Sequence, residues 1–390
     1  MDGIQFAHMR KGAAFVSGDN PMLSLLKQTA IDVFHRVRSR PALLSVLLIS
    51  ALLYTCTVFY GLPQELHPDE YLFVDSAIEM LQTGSLDPAW YGVPAQSLIY
   101  ILAIIIALIA VVGTLFGAFS SPADAGNLFI ADPTVFYVAG RLVSVAFAVV
   151  SLWLTDRLIR AFDVTSHWRW IGLVLLALTA VFAEYAAIIR MDMMQICFSL
   201  AAILLNVKAL RSDEPSRYLI FAGACVGLAV TSKYPGIVAA VPEMMAAFLM
   251  ARNKVRTWLK AFWVLYLAGL ASVAAAFLTG PYMFINFATV LRDVMFEARD
   301  YHLGATGAGF LDQVSFYLFD IIPAQMSIVG LVFGGVGLCM LSLEKRQGGF
   351  VFGVAAAYLV FLSSLAVQWE RWGLPLLPLF AVGIAVSGDR

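Results

Sequence analysis

The sequence predicts an all-α polytopic membrane protein, a bundle of about ten spanning helices with a long first external loop. Three observations lead there. Of the 390 residues, 61% are apolar or aromatic and 13% are charged, against about 25% charged in ordinary soluble domains. Apolar runs of roughly the 20 residues needed to cross a bilayer core recur along the chain. Lys and Arg gather in short clusters between those runs. A cytosolic globular enzyme is excluded. With Lys+Arg 25 against Asp+Glu 26 and a net charge of −1, no global basic field points to nucleic acid, and no polar tract suggests disorder.

The N-terminal arm, 1–40, carries Arg10, Lys11, Lys27, Arg36, Arg38 and Arg40 and reads as cytoplasmic. Everything from 41 to 390 reads as one transmembrane domain. Its first apolar run opens at Pro41 without a small-residue cleavage site, the pattern of a retained anchor and not of a cleaved signal. The expected spans are 41–60, 134–156, 168–189, 193–209, 218–232, 235–251, 261–280, 314–342, 350–368 and 373–387. A further run, Ser97–Phe119, is ambiguous.

Basic residues set the direction, because basic loops stay cytoplasmic. Besides the arm, the clusters are Arg157, Arg160 and Arg169; Lys208, Arg211 and Arg217; Arg252, Lys254, Arg256 and Lys260; and Lys345–Arg346. All share one side if 97–119 does not cross completely. From Pro41 to Gly140 there is no Lys or Arg, while Glu65, Asp69, Glu70, Asp75, Glu79, Asp87, Asp124 and Asp132 fall there. Residues 61–133 therefore read as one external loop, with 97–119 as a helix lying in or dipping into the outer leaflet. An ordinary eleventh span is the alternative. A later external loop covers 281–312. The basic residues left outside are Arg141, Arg190, Lys233, Arg292, Arg299 and Arg371, and ionisable groups near a membrane are costly unless paired, solvated or functional. Cys56, Cys197, Cys225 and Cys339 sit in apolar runs without metal-ligand spacing and read as small buried hydrophobes, with no disulfide framework or zinc site expected.

Five places concentrate polar chemistry on the external side. The first is His67-Pro68-Asp69-Glu70-Tyr71, followed by a helix with Tyr71, Val74, Ala77, Ile78 and Leu81 on one face and Asp75, Glu79 and Gln82 on the other, the spacing of a surface-lying amphipathic helix. Pro68 and Asp69 could equally do no more than start that helix, with Asp69 as its cap. The second is Arg190-Met191-Asp192, a neutralising pair or a site. The third is Ser232-Lys233-Tyr234-Pro235, where Lys233 has no acid within ten residues upstream or nine downstream. It reads as an ammonium wanting an anion, or as a snorkelling side chain. The fourth is the loop carrying Arg292, Asp293, Glu297, Arg299, Asp300, Tyr301 and His302, whose Gly304, Gly307 and Gly309 read as a mobile hinge. The fifth is Trp369-Glu370-Arg371-Trp372, a site or an interfacial belt. Attack by an acceptor hydroxyl or amine on a sugar leaving a lipid-linked phosphate suits this set: a carboxylate removes the proton, and cations stabilise the departing phosphate. No GxGxxG, Walker-type loop, HExxH or GxSxG pattern competes.

Several short motifs in order resemble the GT-C superfamily of polyprenyl-phosphate-sugar glycosyltransferases, especially the branch of lipid A aminoarabinose transferases and protein O-mannosyltransferases. They are His67-Pro-Asp-Glu-Tyr71 with Met80-Leu-Gln-Thr-Gly84, Gly140-Arg-Leu-Val-Ser144, Arg190-Met-Asp192, Gly227-Leu-Ala-Val-Thr-Ser-Lys-Tyr234, and Arg371 with Leu374-Pro-Leu-Leu-Pro378. The resemblance covers about 60–380. It implies a GT-C-like transmembrane bundle with juxtamembrane helices in the first loop, Asp69 as the catalytic acid residue, Glu70 as its partner, Asp192 as a second external acid and Lys233 near the lipid phosphate. Two departures stand out. The usual Lys-Pro-Pro is here Val93-Pro94-Ala95-Gln96, and the chain stops after about ten spans, leaving either no external C-terminal domain or a truncated chain.

The expected site is thus Asp69 and Glu70 in catalysis, with Arg190, Asp192, Lys233, Tyr234, Arg299, His302 and Arg371 binding substrate or lipid phosphate. Asp69 and Asp192 could share a divalent cation through oxygen ligands; no other cofactor is expected. The expected partners are a polyprenyl-phosphate sugar donor, a lipid, glycan or protein acceptor, and membrane lipids. The expected setting is a bacterial-type inner or plasma membrane, N-terminus cytoplasmic and active site external. A transporter or flippase is the main rival, and a non-catalytic scaffold a further one. A transporter would more often show internal repeats and ionisable groups at mid-membrane on broken helices; no repeat is visible, and the charges sit at helix ends.

Overall fold

The computed structural model describes residues 41–63, 67–92, 95–164, 166–251, 255–297, 299, 304–343, 348–365 and 367–390. The N-terminal arm 1–40, Arg252, Lys254, Lys345, Arg346 and His302 lie outside the described residues. Ser50–Arg390 form one compact unit, whose packing is described below.

Helix α1 (Pro41–Thr57) leads to three helices within the first expected external loop: α2 (Glu70–Thr83), α3 (Gln96–Leu115) and α4 (Asp124–Ala131). Then follow α5 (Thr134–Arg160), α6 (Trp168–Leu178), α7 (Ala180–Ala186), α8 (Asp192–Ala209) and α9 (Pro215–Ser232), and a 3₁₀ turn (Tyr234–Ala239) opens α10 (Ala240–Ala251). After α11 (Val255–Thr279), the later loop holds α12 (Tyr282–Ile285) and α13 (Phe287–Glu297). Helix α14 (Phe310–Ser315) passes through a π-helical stretch, Phe316–Ile321, into α15 (Ile322–Leu343). The chain ends with α16 (Gly348–Ser363), a 3₁₀ turn (Glu370–Gly373) and α17 (Leu376–Asp389).

Among the described residues, six helices are long and apolar enough to cross a membrane, and the bent pair α6–α7 makes a seventh. Helix α1, Gly349–Ser363 and Leu376–Asp389 are apolar but shorter. The expected span 168–189 is not straight. It breaks at Thr179, which is extended (φ −62°, ψ 135°), and bends by 61°; the Val181 N–H freed there donates to Gln325 Oε1 at 3.0 Å. The expected span 314–342 is interrupted too, by the π stretch and by Ser327 at φ 62°.

Close backbone approach holds the bundle. A Cβ on Gly227 of α9 would collide with the Ser272 carbonyl of α11, and one on Gly337 of α15 with the Gly383 carbonyl of α17. Small residues permit such contacts where apolar burial alone drives little helix association. Cys197 is buried, but Cys56 and Cys339 lie on exposed faces, so the reading of all four cysteines as buried is corrected.

The bundle has two chemically distinct ends. Along α5, Arg141 and Arg160 are about 28 Å apart at 1.5 Å per residue, close to the thickness of a bilayer core. At the Arg160 end, buried Asp156 accepts from Arg160 Nε at 2.9 Å and Arg169 Nε at 2.5 Å. The Arg141 end is the one built from Glu70, Arg190 and Lys233. Helix α3 begins at that end, with Ser97 Oγ 3.5 Å from Ser232 Oγ. One apolar cluster then joins Leu102, Ile106 and Ala110 of α3 to α2, to Ala125 of α4 and to Phe136 and Tyr137 in the first turn of α5.

Helix α2 packs inward by a stripe that overlaps its expected apolar face at Val74 and Ala77. Its buried stripe is Glu70, Phe73, Val74, Ala77 and Met80, while Tyr71 and Leu81 are exposed. The apolar pattern admits two overlapping stripes, and Phe73 and Met80 carry the helix onto α3. Gly84, at φ 68°, closes α2 with its N–H donating to Met80 O, as a left-handed C-terminal residue does.

Candidate functional site

A wholly buried ion pair underlies the site. Glu70, in the first turn of α2, and Arg141 of α5 are both 0% exposed. Arg141 donates from Nε to Glu70 Oε1 at 2.9 Å and from Nη2 to Oε2 at 2.6 Å. Its Nη1 donates to the carbonyls of Val58 and Tyr60, just beyond α1, at 2.8 and 3.0 Å. The backbone N–H of Ile189, between α7 and α8, completes the set at 2.8 Å from Glu70 Oε1. Both Glu70 oxygens are thereby occupied away from solvent. The expectation that Glu70 takes part in catalysis is corrected: its geometry is that of a structural anchor.

The residues next to that anchor carry the accessible chemistry. Asp69 stands at the N-cap position of α2, yet its side chain makes no cap hydrogen bond. Its Oδ2 instead meets Arg190 Nη1 and lies 4.0 Å from Arg371 Nη1. Arg190, 2% exposed, also donates from Nε to Asp192 Oδ2 at 3.3 Å. Asp192 lies in the first turn of α8, where the helix dipole favours a carboxylate, and its Oδ1 accepts from Lys233 Nζ at 2.6 Å. Asp69, at 34% side-chain exposure, is the accessible carboxylate of the group, and Asp192 is closed off at 2%.

Lys233 follows α9 in extended conformation (φ −155°, ψ 133°), with its ammonium 5.2 Å from the Trp372 ring centroid. Burial lowers its pKa to about 8, against the opposing pull of Asp192. The reading of Lys233 as uncompensated is therefore corrected, because its acid comes from α8, 41 residues away in sequence. The cation with unused capacity is Arg371. Its Nε is buried without a hydrogen-bond partner among the described residues, and its guanidinium lies 4.5 Å from the Trp369 ring centroid. Two carboxylates, Asp69 and Asp192, thus face three cations, Arg190, Lys233 and Arg371, leaving an excess positive charge beside the part-exposed Asp69.

The divalent cation expected between Asp69 and Asp192 does not fit this donor set. Arginine and lysine nitrogens occupy Asp69 Oδ2 and both Asp192 oxygens, and among the described residues no group of three or more His, Cys, Asp or Glu is arranged to hold a metal.

Other expected site residues have partners of their own. The Tyr234 hydroxyl donates to the Tyr91 carbonyl at 2.8 Å, so Tyr234 secures the first loop. Arg299 donates to the Phe296 carbonyl at 2.5 Å and stacks on its ring, apart from the Asp69 cluster. Gly304 is no free hinge: at φ 90° it lies against Trp369, and its carbonyl accepts the Gln368 N–H at 2.9 Å. Sequence reasoning omitted Arg141 and His67 from the site. The His67-Pro68 turn immediately before the acidic pair was the available signal for the second.

With this geometry in place, the family likeness has a structural frame. The profile of the dolichyl-phosphate-mannose-protein mannosyltransferase family matches residues 135–280, a stretch that includes Arg141, Arg190, Asp192 and Lys233. ArnT from Cupriavidus metallidurans in the apo state is similar over 90% of this chain and 60% of its own, with TM-score 0.60 at 13% identity. ArnT bound to undecaprenyl phosphate gives 0.58 at 14%, with the same coverage. The fold is that of the GT-C glycosyltransferases. AglB, the Archaeoglobus fulgidus oligosaccharyltransferase in complex with an inhibitory peptide and a dolichol-phosphate, gives TM-score 0.53 at 14% identity, covering 88% of this chain and 50% of its own. No curated protein matches in sequence. The GT-C fold here spans 60% of the length of ArnT, and the protein is an integral membrane protein.

The Glu70–Arg141 pair sets an expectation about stability. Glu70→Gln leaves the Arg141 charge buried and unpaired, a change costing about 3–5 kcal/mol. Unfolding in detergent should show that loss, and Glu70→Gln/Arg141→Gln should lose less than the sum of the single changes. Unchanged stability in Glu70→Gln would remove the pair from its anchoring role.

Proposed function

We propose that the chain is a glycosyltransferase that moves a sugar from a polyprenyl-phosphate donor to an acceptor at the external membrane face. The carrying observation is a part-exposed carboxylate, Asp69, within a cluster bearing excess positive charge. Asp69 accepts the proton of an acceptor hydroxyl or amine as the nucleophile bonds to the sugar C1. The bond from C1 to the phosphate oxygen breaks, its electron pair leaving with the polyprenyl phosphate. Arg371, backed by Arg190 and Lys233, faces the growing negative charge, where preorganised cations are most effective. A single accessible carboxylate suits direct displacement, with inversion at C1. The printed ligands of the structural neighbours, undecaprenyl phosphate on ArnT and a dolichol-phosphate on AglB, support a lipid-linked donor. The acceptor is a lipid, glycan or protein.

A transporter would use the break between α6 and α7. That break is filled by uncharged Gln325, while the ionisable groups converge at the bundle end, which favours transfer chemistry.

Asp69→Asn should reduce turnover of a polyprenyl-phosphate sugar by about 10²-fold or more, as expected for a lost general base, with normal expression. Wild-type turnover would refute the assignment of Asp69. Arg371→Gln should weaken undecaprenyl-phosphate binding by about 1.5–3 kcal/mol, the scale of a charged hydrogen bond. Lys233→Ala, in contrast, should act mainly through stability, by stripping a partner from Asp192. Equal lipid affinities of Arg371→Gln and wild type would exclude Arg371 from the phosphate site.

The orientation has its own test. In a background with the native cysteines replaced, single cysteines at Asn127 and Asp163 should label oppositely in spheroplasts, 127 being reached by an impermeant thiol reagent and 163 protected. The reverse pattern would place the site on the cytoplasmic face.

A further inference from the structure

A helix beginning leaves its first N–H groups without intrahelical partners, and an Asp at the N-cap commonly spends its carboxylate on one of them. At α2 it does not. The entry to α2 is held by His67: its carbonyl accepts the Glu70 N–H, the first of the helix, at 3.0 Å, and its Nδ1 accepts the N–H of Asp69 itself at 3.2 Å. Side chain to backbone two residues on is the hydrogen bond of an Asx turn, made here by an imidazole. Pro68 between them has no N–H to satisfy.

We propose that His67 is a positioning residue for Asp69: by accepting the Asp69 N–H it fixes the backbone from which the Asp69 carboxylate faces Arg190, Arg371 and substrate. The inference rests on the reading of Asp69 as the base, and goes beyond it by assigning the group that keeps that base in place.

The role requires an unprotonated Nδ1, and the surroundings provide one. Burial, followed by Arg190 from the α7–α8 turn and Arg371 from the 3₁₀ turn after α16, lowers the His67 pKa to about 4, against the weaker opposing fields of Glu70 and Asp192. Asp69 Oδ2 is 3.9 Å from Nδ1, and Tyr185 of α7 meets the ring edge-on at 6.3 Å between centroids. With Nδ1 accepting, a neutral ring carries its proton on Nε2. Nδ1 stays an acceptor until the pH falls through about 4.

The test compares His67→Ala, His67→Asn and Asp69→Asn in the purified full chain. Release of polyprenyl phosphate is followed from whichever of polyprenyl-phosphate mannose, glucose or aminoarabinose the wild type turns over best. In His67→Ala the Asp69 carboxylate is free to fold back as the cap, so melting temperature and donor KM should hold while kcat falls about 10²-fold, the scale of a displaced catalytic group. Asn supplies the Asx-turn acceptor and should restore kcat to within a few-fold. Wild-type kcat in His67→Ala, or His67→Asn no better than His67→Ala, overturns the inference. Wild-type turnover in Asp69→Asn would instead remove the reading of Asp69 itself, and is scored separately.

Discussion

One buried ion pair fixes the relation between the first loop and the bundle. Glu70 and Arg141 neutralise one another at 0% exposure, and their spare capacity is spent on the Val58 and Tyr60 carbonyls and the Ile189 N–H. Four chain segments therefore meet at two side chains. The consequence for chemistry is positional. Asp69 precedes Glu70 and Arg190 follows Ile189, so anchoring Glu70 to Ile189 brings the next residue of each segment into contact. Desolvating two charges is costly, and this pair offsets it by bidentate geometry and by the two carbonyls that accept from Arg141 Nη1. A carboxylate used in this way is unavailable for proton transfer, which separates the roles of two adjacent acids.

Much of the architecture was legible because membrane physics leaves few choices. Apolar runs and basic clusters located the helices, and the stretch 61–133, without Lys or Arg, holds α2, α3 and α4, of which α3 is itself long and apolar enough to cross a membrane. What escaped is what length and hydropathy do not encode. The break at Thr179 depends on Gln325, 144 positions away from the N–H it accepts, and no local signal in 168–189 announces it. At α2, apolar residues on two overlapping stripes satisfy the same periodicity, and only the partner helix decides which of them packs inward.

The site was legible as a set of residues and illegible as a set of pairs. Asp69, Arg190, Asp192, Lys233 and Arg371 come together, whereas Tyr234 and Arg299 engage the backbone carbonyls of Tyr91 and Phe296. Sequence distance misled most at Lys233. Searching for a compensating acid within a few residues is sound for an isolated helix, where neighbours lie three or four positions apart. In a bundle, the end of α9 meets the start of α8, so the acid arrives from another segment. Arg371, set between two tryptophans, reads as part of an interfacial belt until Asp69 is placed beside it.

Exposure then sorts the acids more sharply than identity does. Glu70 is sealed with both oxygens bonded, Asp192 is sealed between two cations, and Asp69 alone among the three opens to solvent. A group that must exchange a proton with a substrate has to be reachable, and one that must hold a guanidinium in place works best away from water. The order of burial follows the pairing: Glu70 holds the backbone, Asp192 holds Arg190 and Lys233, and Asp69 keeps the most open position. The same logic applies to the cations. Lys233 and Arg190 are committed to Asp192, while Arg371, at 17% exposure with an unpartnered Nε, retains capacity for an anion. Charge, access and spare hydrogen-bonding capacity thus coincide between Asp69 and Arg371, where an acceptor proton and a leaving phosphate would both have to be managed.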